Sequence, residues 1–249
     1  MTGWDFSSLD DRLVADDPPW DFEDLCLREL QKSRVCLDMG TGGGERLMSL
    51  VDRLTTGSSL WANRASDPCN GPLTISATEG WAPNLPIATA SLSPLGIEVR
   101  EYDSDRGMPM PWPNETFDVV MNRHESFDPE ELSRVIRPGG RFLTQQVDGT
   151  EAQEFREWFG GEPMYPEAQL EPASAGLLAQ GFTITEARTW SGTMRFNDVE
   201  AVLEYLGYVP WDVPGFTVEA NFDTLEKLAR LESPIEVTQK RFLIIADKQ

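Results

Sequence analysis

Val35-Cys36-Leu37-Asp38-Met39-Gly40-Thr41-Gly42-Gly43-Gly44-Glu45-Arg46-Leu47 decides the fold of this chain. Three apolar residues predict a short buried strand, and Asp38 closes it. A glycine-rich turn follows, and a helix opens behind it. Glycine lets the backbone bend sharply and approach a ligand with no side chain between them. Such a bend at the carboxyl edge of a parallel sheet is a seat for a nucleoside-bearing cofactor. The acid precedes the glycines here, whereas the dinucleotide fingerprint keeps its acid about 20 residues beyond them.

Outward from this turn, strands and helices alternate. The pattern predicts helices over 21–31, 44–54, 150–159, 172–180, 198–205 and 224–231, with a weak one over 83–95 and a short one over 129–136. It predicts strands over 35–38, 73–78, 97–102, 117–122, 141–147, 182–188 (running on through 191) and 240–246. Asp21–Gln31 would turn Phe22, Leu25, Cys26 and Leu30 to one side. Residues 1–20 are acidic and aromatic and read as an arm or lid, with Trp4, Trp20 and, farther on, Trp61 as candidates for closing over a ligand. Residues 55–72 carry dense turn signals and read as a long functional loop.

The expected fold is α/β: a doubly wound, mainly parallel, seven-stranded Rossmann-like sheet with helices on both faces and a small cap between the last two strands. One domain is expected over 1–249. It comprises an N-terminal arm and helix (1–31), a cofactor-binding core (35–147), acceptor-side helices and cap (150–235) and a last strand (240–246).

Composition narrows the partners. The chain has 249 residues, with 42 acids against 21 Lys and Arg, for a formal charge of −21. A nucleic-acid binder draws affinity from lysine and arginine on phosphates, so this balance argues against nucleic acid. No apolar run approaches the roughly 18 residues of a membrane span. The first residues have no secretory pattern. Cys26, Cys36 and Cys69 suggest neither a disulfide framework nor a metal site, and a cytoplasmic home is expected.

Three further stretches stand in order after the glycine turn. Phe117-Asp118-Val119-Val120-Met121-Asn122 follows Pro111-Trp112-Pro113-Asn114-Glu115, and then comes Ser133-Arg134-Val135-Ile136-Arg137-Pro138-Gly139-Gly140-Arg141-Phe142-Leu143. With Asp-x-Gly-x-Gly-x-Gly at 38–44, this series resembles class I S-adenosylmethionine-dependent methyltransferases of the small-molecule, type 11-like kind. The resemblance covers about 35–147. It implies S-adenosylmethionine as cofactor, with Asp38, Gly40, Thr41, Gly42 and Gly44 cradling its amino-acid end. It further implies Glu79 at the ribose, Asp103 and Ser104 on the adenine side with Asp105 competing, and Asn122 at the cofactor. Trp81 can flank the ring.

The cluster Asn122-Arg123-His124-Glu125 falls where such enzymes place acceptor groups. His124 is the sole histidine and is the candidate general base, since imidazole titrates near pH 6.5. Arg123 can hold an acceptor carboxylate or phosphate. Glu125 can orient the imidazole or bind an ammonium. Methyl transfer from a sulfonium needs little beyond in-line positioning, so a base is dispensable. The expected reaction is methylation of oxygen or nitrogen in a small metabolite by a monomer or homodimer. RNA methylation and a non-catalytic S-adenosylmethionine-binding regulator are the alternatives.

Overall fold

The computed structural model describes residues 7–56 and 72–249. Trp4, Trp61, Cys69 and most of the 55–72 loop lie outside the described residues. The strands are β1 (Leu13–Ala15), β2 (Val35–Met39), β3 (Thr74–Glu79), β4 (Glu98–Glu101), β5 (Phe117–Arg123), β6 (Ile136–Val147), β7 (Phe182–Phe196) and β8 (Ile235–Lys248). The helices are α1 (Phe22–Leu30), α2 (Glu45–Thr56), α3 (Leu85–Leu92), α4 (Pro129–Val135), α5 (Gln153–Phe159), α6 (Leu170–Ala179), α7 (Val199–Tyr208) and α8 (Phe222–Ala229).

One sheet runs in the order β1-β7-β8-β6-β5-β2-β3-β4. The joints among β4, β3, β2, β5 and β6 are parallel. Those from β6 to β8, β8 to β7 and β7 to β1 are antiparallel. The expectation of seven mainly parallel strands is therefore corrected to a mixed sheet with eight strands among the described residues.

The extra strand comes from the supposed arm. Leu13-Val14-Ala15 pairs with Met194, Arg195 and Phe196 at the sheet's edge. Three residues are too few to show a period of two. Around it, Leu9 and Trp20 are buried. Asp16 binds the Arg195 guanidinium at 2.7 Å. The described part of the N-terminal segment is thus packed against the body.

Period-two alternation in β2 sends Cys36 into one core and Leu37 into the other. The first core takes Phe22, Cys26 and Leu30 from α1 and Leu47, Leu50 and Leu54 from α2. Those leucines recur every three or four residues, and each contributes about 1.5–3 kcal/mol when fully buried. The second takes Leu132 and Val135 from α4 and Leu177 from α6.

The Arg137-Pro138-Gly139-Gly140 turn does not precede a strand. It bulges inside β6, where the pairing with β5 jumps from Phe117↔Ile136 to Val119↔Arg141. Asp118 holds the bulge through Arg137 at 2.5 Å and accepts the Arg34 and Val35 N–H groups at 2.5 and 3.0 Å.

The last strands are also longer than expected. The β7–β8 ladder runs from Phe182↔Lys248 to Phe196↔Ile235. β6 ends at Val147, opposite Arg241. The ladder therefore overshoots the carboxyl edge. A third core forms on the overshoot, where Met194, Phe196, Ile235 and Val237 meet Phe155 of α5, Tyr205 and Leu206 of α7 and Leu228 of α8.

Candidate functional site at the carboxyl edge

Parallel register brings the strand tips level. Met39 at the end of β2 lies between Thr78 of β3 and Asn122 of β5, and Asn122 pairs onward with Thr144 of β6. The sequence-derived candidates meet here.

The glycine bend is held by β3. Gly40 N–H donates to Thr78 Oγ1 at 3.2 Å, and Thr41 N–H donates to the Thr78 carbonyl at 2.8 Å. Gly42 N–H donates to Glu79 Oε2 at 2.7 Å, while Trp81 N–H donates to Glu79 Oε1 at 2.8 Å. Glu79 is buried and is not a solvated acid at a strand end. Gly42 has φ +63°, and a Cβ there would meet nothing within 4 Å. The bend faces open space. At Gly40 a Cβ would stand 2.5 Å from the Cβ of Glu125, so Glu125 packs directly on the bend.

Carboxylates surround that space. Burial pushes Asp38 up to about 6. Burial likewise raises Glu79, with a smaller push from Asp38. Glu125 is raised to about 8 by burial and then by Glu79, Asp103 and Asp105. Crowding ionised groups of one sign costs energy that a cation removes.

The tip of β4 joins the tip of β5 through serines. Ser104 Oγ lies 2.5 Å from Ser126 Oγ, and Ser126 Oγ donates to Asp105 Oδ1 at 2.6 Å. Asp103 caps its own turn through the Asp105 N–H and pairs with Arg106 at 2.9 Å.

Asn122 is fully buried. Its Oδ1 accepts from Thr144 Oγ1 at 3.1 Å and from Gln146 Nε2 at 2.6 Å. Its Nδ2, like the Tyr102 hydroxyl, is buried with no hydrogen-bond partner among the described residues. Open space over Gly42, converging acids and orphaned polar atoms fit a polar cationic ligand such as S-adenosylmethionine.

Around His124 the acting charges are positive. His124 has φ +61°, a conformation uncommon outside glycine and costly enough to point to a functional role. The residue is exposed, with protein crowded around the ring. That crowding, with Arg241, Arg123 and Arg46, holds its pKa well below the ordinary value.

Trp20 Nε1 donates to Gln145 Oε1 at 2.7 Å, and Gln145 Nε2 lies 3.2 Å from His124 Nε2. Indole nitrogen only donates, so the Gln145 amide presents its NH2 to the imidazole. His124 Nε2 is then the acceptor, and the ring proton sits on Nδ1. Sequence reasoning placed Gln145 at a strand tip but gave it no role, and it missed Trp20 as its partner. The signal available was the polar run Thr144-Gln145-Gln146 following Phe142 and Leu143 in the strand.

Solved structures share this fold. The fold is that of class I S-adenosylmethionine-dependent methyltransferases. A Bacillus halodurans protein described as a candidate methyltransferase is 17% identical at TM-score 0.57, covering 89% of this chain and 98% of that one. Geranyl diphosphate C-methyltransferase from Streptomyces coelicolor is 11% identical at TM-score 0.51, covering 91% and 78%, and was solved with S-adenosylhomocysteine. The [4+2]-cyclase SpnF is 17% identical at TM-score 0.51, covering 91% and 81%. No protein-family model matches the chain, and no curated protein does either. A methyltransferase fold that also serves a cyclase fixes the frame and leaves the chemistry to the site. Among the described residues no helix is long and apolar enough to cross a membrane.

Proposed function

We propose that this chain transfers a methyl group from S-adenosylmethionine to an oxygen or nitrogen of a small metabolite. The observation that carries the reading is the Glu79 clamp. One buried carboxylate holds Gly42 and Trp81 through their N–H groups and leaves the space over Gly42 open.

Bound there, S-adenosylmethionine would supply an electrophilic methyl on a cationic sulfur. Asp38 and the bend from Gly40 to Gly44 would hold its amino-acid end. Each Glu79 oxygen has lone-pair capacity left for a ribose hydroxyl. Asp103 and Ser104 lie on the adenine side, and Asn122 Nδ2 is free to donate. Glu125 would give up its proton when a cation enters among the carboxylates.

On the acceptor side, Arg123, His124 and Glu125 border the cleft. His124 works here as a neutral hydrogen-bond donor through Nδ1, because its Nε2 already accepts from Gln145. General-base service would need the ring turned over. Positioning the acceptor in line at near-contact distance supplies the acceleration. The −21 charge disfavours RNA as acceptor. A cytoplasmic monomer or homodimer fits this reading.

Calorimetry with S-adenosylmethionine, followed by a metabolite screen for release of S-adenosylhomocysteine, tests the proposal. Turnover on a small metabolite is expected. Tight binding without turnover on any compound would make the chain a regulator, and turnover only with RNA would make it a nucleic-acid enzyme.

A further inference from the structure

We propose that the acceptor carries an oxyanion, a carboxylate or phosphate, which seats on Arg46 and Arg123 beside His124. The inference rests on the methyltransferase reading and adds the chemical class of its substrate.

Three guanidinium groups crowd the His124 imidazole. Arg46 opens α2, Arg123 ends β5 and Arg241 lies in β8. All three act on His124, in a protein where acids outnumber bases two to one. Arg241 is spoken for: it pairs with buried Glu151 and donates to the Lys240 carbonyl at 2.7 Å. Arg46 and Arg123 are not so well matched. A single carboxylate, Glu23 of α1, serves three guanidinium groups: Arg46 at 2.8 Å, Arg53 at 3.5 Å and Arg123 at 3.9 Å. Arg53 has a second partner in Asp24.

Arg123 therefore stands out. Its side chain is 28% exposed, its one carboxylate lies at 3.9 Å, and among the described residues it donates no hydrogen bond. Burial first and Arg46 second pull its pKa down to about 10. A cation taken out of water without a close counter-ion is costly, and a bidentate oxyanion removes that cost. Arg46 and Arg123 both reach toward the same Glu23 oxygen, Oε1, so they converge on one spot. The imidazole N–H of His124 adds a third donor next in sequence to Arg123. The acids on the glycine bend suit a sulfonium, and the two guanidinium groups near Glu23 suit an anion.

Because His124 is the only histidine, its Hε1 proton reports on these groups without assignment. The test is an NMR pH titration of that proton in the full chain at constant ionic strength. Inorganic phosphate and acetate are the probes, each with and without saturating S-adenosylhomocysteine. Either anion is expected to raise the midpoint saturably by about half a unit or more, since it offsets the arginines, and the effect should persist with S-adenosylhomocysteine bound. The stronger of the two probes names the phosphate or the carboxylate class. Arg123→Gln should raise the midpoint without any anion and abolish the response. Arg46→Gln, at an exposed position, should weaken it.

No response to either anion would overturn the seat. So would an unchanged response in both variants. A response that S-adenosylhomocysteine mimics and then blocks would assign the arginines to the donor's own carboxylate and refute the proposal. Failure of S-adenosylhomocysteine to bind, with the anion response intact, would instead sink the methyl-donor reading alone.

Discussion

The Nε2 atoms of Gln145 and His124 lie 3.2 Å apart, and Trp20 decides which of them donates. Replacing Gln145 by Glu puts an acceptor where the amide N–H stood. The imidazole must then present a proton at Nε2. His124 in the native protein titrates well below pH 6.5, so its Hε1 shift should stay flat from pH 8 through 6.5. In Gln145→Glu the midpoint should rise to about 6.5 or above. A flat curve in the variant would dissolve the relay.

Glu125 is held near 8 by burial and by Glu79, Asp103 and Asp105. At pH 7 it is mostly protonated. A cation entering among these carboxylates lowers that value and expels the proton. Calorimetry of S-adenosylmethionine in buffers of different ionisation enthalpy should record release of up to about one proton at pH 7. Glu125→Gln should abolish the release. The same raised value gives a stability profile. The contribution is complete below the unfolded value of about 4.5 and is lost as pH rises through 8. Urea midpoints at pH 5, 7 and 9 should fall in the native chain and fall less in Glu125→Gln, where Asp38 and Glu79 still titrate with raised values.

Removing the Glu79 carboxylate strands the N–H groups of Gly42 and Trp81. Each buried donor left unpaired costs about 1–3 kcal/mol. Glu79→Ala should lose about 2–4 kcal/mol in urea unfolding together with donor binding, and Glu79→Gln, which keeps one accepting oxygen, should recover part of both.

Gly42 and Gly96 separate backbone strain from ligand space. Both have positive φ, +63° and +74°, and neither would bring a Cβ within 4 Å of another atom. Alanine at either should cost about 1–2 kcal/mol of stability. Only Gly42→Ala should weaken S-adenosylhomocysteine binding, by about tenfold or more, with Gly42→Val worse. Equal affinities for the Gly42 and Gly96 variants would remove the bend from the donor site.

Phe155 centres the third core, with ring centroids 5.7 Å from Phe196 and 5.9 Å from Tyr205. Phe155→Ala should cost about 3–5 kcal/mol of stability. If the overshoot shapes the acceptor side, the KM for the acceptor should rise while donor affinity holds.

The half of the fold from β2 to β6 was legible because its signals are local. An apolar tripeptide ending in Asp38 and glycines at 40, 42, 43 and 44 require one particular bend. The later half was harder to read. Ser191, Gly192 and Thr193 broke the apolar alternation of β7, so its continuation to Phe196 was invisible, as was the matching start of β8 at Ile235. β1 has three residues and one partner strand, too little for any period. The carboxylates around the glycine bend announced themselves by position at strand tips. Arg46 and Trp20 did not, because their roles arise from contacts between elements distant in sequence: α1, α2, β5 and β6.

Two long strands carry the outer part of the molecule as rigid beams carry a balcony. The 199–229 helices hang from beams continuous with the central frame, so alterations to those helices can retune which compound is admitted. The strand tips around the glycine bend keep their alignment throughout. A chain built this way can change clientele by swapping the furniture between β7 and β8 while its foundations stay put.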